Sequence, residues 1–99
     1  MSMNPDLTRA RELLPAELMR EINKQPFTVR GWRILERWAF NSPTQLEALA
    51  KQGTIIFINR LLDQQQIEHA ALVSALNAGQ THLAQHEVLE LAGVSTELA

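Results

Sequence analysis

The chain has 99 residues, 45% hydrophobic and 20% charged, with a formal net charge of −2. That length and balance suit one folded domain with a single core, and they exclude a wholly disordered chain. The absence of cysteine excludes disulfides, zinc–thiolate sites and cysteine nucleophiles together.

In chain order, Leu7, Ala10, Leu14, Leu18 and Ile22 recur at helical spacing and keep to one face. Asn4 or Asp6 can cap the start, and Pro5 suits a first turn. Pro15 removes a backbone donor, so residues 1–25 read as a kinked helix or a helix pair, ending before Pro26. From about Thr28 to Phe40, Gly31, Trp32, Ile34, Leu35, Trp38 and Ala39 fill an arc of about 160°. Arg30, Arg33 and Arg37 stand together on the opposite side. Ser42-Pro43, with Gln45 at the capping-box position, opens a third helix that stops at Gly53.

TIIFI at 54–58 has strand propensity, but its only partner run is the short FTV at 27–29. As a helix, the stretch continues a seam through Ile55, Ile58, Leu62, Gln65, His69, Leu72 and Leu76 to Asn77. The helical reading is preferred. Thr81 then caps a last helix through Leu91, Gly93 ends it, and residues 94–99 form a frayed tail. The expected fold is a single all-α domain over 1–99, a small bundle of four or five helices with one long helix near 54–77. Its expected core is Trp32, Leu35, Trp38, Leu46, Leu49, Ile55, Ile58, Leu62 and Leu72.

Charge is distributed unevenly. Residues 1–60 hold all nine basic residues against six acids, net +3, whereas residues 61–99 hold five acids and no Lys or Arg, net −5. Such a split marks either a basic binding face or two parts that attract each other.

Four patterns bear on function. The helix RGWRILERW sets three arginines at phosphate-contacting intervals, but its tryptophans lie on the other side, so interleaved base stacking is not supported. QLEALAKQG (45–53) and HEVLELAGVS (86–95) each run into a glycine turn as a helix-turn-helix does. The first precedes TIIFINR, which offers only Asn59 and Arg60 to read bases; the second leaves too little chain for a recognition helix. His82 and His86 have chelating spacing on a helix, with Glu90 one turn on, yet Leu83 occupies the position where a zincin carries glutamate. A solvent-facing polar stripe explains the same pair, and no metal or cofactor is expected. Gln65 and His69 interrupt an apolar seam, as polar residues do where they set register or association.

No glycine-rich phosphate loop or nucleophile elbow occurs, so an enzyme is not expected. With charges where a signal's apolar region would lie and no long apolar run, the chain reads as cytoplasmic and not membrane-bound. The expected function is a small interaction or regulatory protein that forms a homo-oligomer or docks another protein through Ile58, Leu62, Gln65, His69 and Leu72. The alternative is a DNA- or RNA-binding regulator using Arg20, Lys24, Arg30, Arg33, Arg37 and Arg60.

Overall fold

Proline and glycine divide the chain at the expected places. In the computed structural model, which describes residues 7–98, they bound six helices: α1 (Thr8–Leu13), α2 (Ala16–Asn23), α3 (Val29–Asn41), α4 (Pro43–Lys51), α5 (Thr54–Asn77) and α6 (Gln85–Leu91). There is no strand among the described residues, so TIIFI is the first turn and a half of α5. The capping residues Asn4 and Asp6, with Pro5, lie outside the described residues. Pro15, extended at ψ 145°, separates α1 from α2 outright, because its ring leaves no room for a continuous helix.

The N-terminal spacing holds: Leu7, Ala10, Leu14, Leu18 and Ile22 are all buried. Leu7, at the N-cap of α1, has no polar side chain to offer. The Glu36 carboxylate on α3 caps that helix instead, accepting from the Arg9 and Ala10 backbone N–H groups at 2.8 and 3.0 Å. A carboxylate at this end also faces the positive end of the helix dipole.

Helix α3 is the centre of the fold and packs on α1, α4 and α5. Its apolar arc is buried as the spacing requires: Gly31, Trp32, Ile34, Leu35, Trp38 and Ala39 all face the core. Leu46, Phe57 and Leu61 meet them there, each fully buried. Gly31 has a packing reason. A Cβ at this position would collide with Gln65 Oε1 and lie 2.9 Å from Phe27 Cδ1. Gln65 is not free to yield, since its Oε1 accepts from the Thr28 N–H at 3.0 Å. Gly31→Ala should therefore lower stability by about 1–2 kcal/mol in urea unfolding, although alanine favours the helix by about 1 kcal/mol. A neutral or stabilising result would show that α3 and α5 do not approach this closely.

Helix α5 is about 36 Å long at 1.5 Å per residue and outruns the main core. Its C-terminal half packs on α6 through Ala75, Val88 and Leu89, which are buried. Gly79, at φ +78°, turns the chain back, and the Gln80 N–H reaches the Ala75 carbonyl at 2.9 Å. That is a left-handed glycine closing a helix end.

Five local expectations need correction. Ile55 is not core: it is 75% exposed, and Leu72 is only half-buried. Leu49 and Leu62 pack against the core from its edge. The Ser42 side chain does not cap α4; its hydroxyl donates to Glu97 Oε2 at 3.2 Å, a tertiary partner that outcompetes the local one. Thr81 does not start α6, which begins at Gln85 behind a turn, where the Ala84 N–H reaches the Glu87 carboxylate at 3.4 Å. His82 therefore lies outside the helix, and the two histidines do not share a helical face.

The fifth concerns the C-terminal tail. Residues 95–98 do not fray; they cross α3 and α5 as a strap. The Thr96 carbonyl accepts from Trp38 Nε1 at 2.9 Å and from Arg37 Nε at 3.0 Å. The Ser95 carbonyl accepts from Gln64 Nε2 at 2.8 Å, and Leu98 packs on the core. A buried indole N–H and a buried amide need acceptors, and this segment supplies them.

Candidate functional site

The basic face of α3 splits into members with different roles. Arg37 donates from Nη1 and Nη2 to the two oxygens of Glu68 at 3.2 and 2.6 Å. Glu68 is 1% exposed, and it also accepts from Gln64 Nε2 at 2.7 Å. Glu97 stands 3.8 Å from Arg37 Nε and ties to Asn41 and Ser42. Arg60 donates to Gln64 Oε1 at 2.9 Å and lies over the Trp38 ring at 5.0 Å. Arg37 and Arg60 are thus committed to one inward network of forked hydrogen bonds and a cation–π contact. The basic N-terminal part and the acidic C-terminal part meet within the molecule, and Arg37–Glu68 is the centre of that meeting.

Arg30 and Arg33 are left over. Neither has a carboxylate partner among the described residues; Arg30 Nη1 reaches only Gln85 Oε1, at 3.4 Å. Burial lowers the proton affinity of Arg30 below the ordinary guanidinium value; Glu68 opposes this, while Arg33 and Arg37 add to it. Arg20 and Lys24 are exposed on α2, and Lys24 pairs with Glu21 at 3.0 Å. The six basic residues singled out in sequence therefore do not act as one set.

Two concavities flank Arg30. A cleft of about 350 Å³ between α3, α5 and α6 is walled by Arg30, Arg33, Arg37, Glu68 and His86. Next to it a trough of about 270 Å³ is lined by Leu72, Val73, Leu76, Leu83 and Val88, with Arg30 and Gln85 on the wall common to both. Leu76, which lines the trough, is 61% exposed, so apolar surface continues onto the rim.

The seam residues separate likewise. Ile58 is buried in the core and cannot touch a partner, and Gln65 bonds Thr28. Leu62 is half-buried against the core, whereas His69 and Leu72 do line the trough. The buried stripe of α5 is Phe57, Ile58, Leu61, Gln64, Glu68 and Ala75, turned by roughly one residue, about 100°, from the expected seam. Sequence reading missed Gln64 and Glu68 because no local pattern marks a polar residue whose partner comes from a remote part of the chain, Ser95 for Gln64 and Arg37 for Glu68. It also missed Val73 and Gln85, which only the return of α6 brings to the trough.

Neither glycine-turn pattern presents a base-reading helix. The exposed start of α5 shows Ile55, Ile56 and Asn59, while Arg60 is held on Trp38. No group of three or more His, Cys, Asp or Glu among the described residues is placed to hold a metal ion. No helix among them is long and apolar enough to cross a membrane. In comparisons with known proteins, no family model, no curated protein and no solved structure matches this chain.

Proposed function

We propose that this protein is a non-enzymatic helical docking domain. Its face is the C-terminal half of α5, the turn that follows and α6, and its partner is a protein segment or a second copy of the chain. One observation carries the reading: an apolar trough lined by exposed Val73 and Leu76 shares a wall with a cleft that holds two arginines without a carboxylate partner among the described residues. Clustered apolar surface with a polar border is what protein partners cover.

Light scattering across micromolar concentrations tests the second-copy form. A mass above 11.2 kDa that Leu76→Glu returns to the monomer supports it. A strict monomer at high micromolar concentration removes it and leaves a different protein as partner. For that form, selection of binding peptides on the whole chain is the test, with Leu76→Glu expected to abolish the binding. No selected peptide, or binding indifferent to Leu76→Glu, overturns the docking reading.

Nucleic-acid binding is the weaker reading, because Arg37 and Arg60 are held by internal partners. Fluorescence anisotropy on duplex DNA at about 50 mM salt should show no binding. A log–log salt slope near −2.7, the value for about three neutralised phosphates, would reverse that conclusion.

A further inference from the structure

The docking face has two chemically different halves on either side of Arg30, and their junction limits what can sit there. On one side the trough offers Leu72, Val73, Leu76 and Leu83 to an apolar side chain. On the other, the cleft holds three guanidinium groups against one buried carboxylate, and that carboxylate is already engaged by Arg37. The surplus positive charge is at Arg30 and Arg33. Arg30 is partly withdrawn from water with only a long contact to Gln85, so a carboxylate reaching it would replace solvent with a charge-assisted, forked hydrogen bond.

We infer that the face reads an acidic–apolar segment of a partner protein: Arg30 and Arg33 take an aspartate or glutamate carboxylate while the trough takes a neighbouring apolar side chain. This rests on the docking reading and adds the partner's chemistry to it. Charge complementarity selects the occupant. A basic segment would meet Arg30 and Arg33 with like charge. An extended polyanion would run along α6, whose exposed Glu87 and Glu90 repel it. A single carboxylate beside an apolar group meets neither obstacle.

The test is selection from a phage-displayed library of random peptides about 15 residues long, against the intact chain and against Arg30→Gln/Arg33→Gln. Both arginines lie at the surface side of α3, and an unchanged thermal midpoint checks the fold of the variant. The expected result is a consensus with Asp or Glu at fixed spacing from a large apolar residue. A capped synthetic peptide of that sequence should bind the double variant about tenfold more weakly and lose affinity with added salt. Arg33→Gln alone, at an exposed position, should weaken it about threefold and covers the case in which the double variant unfolds. An apolar consensus without acid, or affinity equal in wild type and Arg33→Gln, overturns the inference while leaving docking intact. A basic consensus overturns it as well. If no peptide is enriched at all, docking of a different protein falls and the inference with it.

Discussion

Glu68→Ala should destabilise the protein by about 2–4 kcal/mol, a fall of roughly 10–20 °C in thermal midpoint for a chain of this size. Glu68 is 1% exposed, while the Arg37 side chain retains 26% of its exposure. Removing the carboxylate therefore leaves a guanidinium that is only partly hydrated, with the Thr96 carbonyl as its remaining close acceptor. The upper end of the range for breaking a buried pair does not apply, because water still reaches one side of Arg37. Gln64 also loses an acceptor, but it keeps Ser95. The double variant Arg37→Met/Glu68→Leu should recover most of the loss, since an ion pair replaced by apolar groups of similar size forfeits neither packing nor hydration. Urea unfolding of Arg37→Met, Glu68→Leu and the double variant measures the coupling. A loss below about 1 kcal/mol for Glu68→Ala would mean that the network is solvated and does not hold α3 to α5.

Ending the chain at Val94 should cost about 3 kcal/mol. The deletion removes the Ser95 and Thr96 carbonyls, the Glu97 carboxylate and the apolar contact of Leu98. Each lost hydrogen bond contributes about 1 kcal/mol net, and the half-buried leucine about as much again. Part of this returns, because water can reach the donors once the strap is gone. The specific readout is the Trp38 indole N–H. Bonded at 2.9 Å to Thr96 in the full chain, it should exchange with solvent far faster in the truncated chain, while Trp32, whose contact is with Phe27, should be little affected. An unchanged midpoint and unchanged indole exchange would mean that residues 95–98 lie on the surface without supporting it.

These two expectations fall on residues that pattern reading treated least well. Trp32, Leu35 and Trp38 were legible because α3 is amphipathic: its polar and apolar residues sort cleanly, and packing had only one face to choose. In α5 the opening TIIFI is apolar on every side, so spacing alone could place the seam at Ile55 or at Phe57. The true seam contains Gln64 and Glu68, which a hydrophobicity count assigns to solvent. Their burial is tolerated only because Arg37, Arg60 and Ser95 satisfy them, and Arg37 and Ser95 are each 31 positions from the group they meet. The same reasoning explains the tail. Residues 94–99 have no helical periodicity, and irregular backbone at a terminus reads as frayed unless its carbonyls have donors waiting. Arg37, Trp38 and Gln64 are those donors.

The candidate site was half visible. The charge asymmetry already contained the alternatives of a basic binding face and an internal attraction, and the internal attraction is present at Arg37–Glu68. Arg37 answers to the acidic half of the chain, while Arg30 and Arg33, in the cleft beside the trough, have no carboxylate partner among the described residues. His69 and Leu72 were placed at a surface for the right helix but with Ile58, which lies on nearly the same side of α5 at the end that the core covers.

What this sequence determined by itself was its all-helical class, its breaks at Pro15, Pro26 and Gly53, and the inward face of α3. Those features follow from backbone chemistry and from apolar spacing within one helix, which are local. Only the tertiary structure decided which face of α5 turns inward, which arginines find a carboxylate, and that residues 95–98 close the core. Those outcomes depend on pairing a buried charge or donor with a group some 31 to 59 positions away, and no local pattern encodes such a pairing.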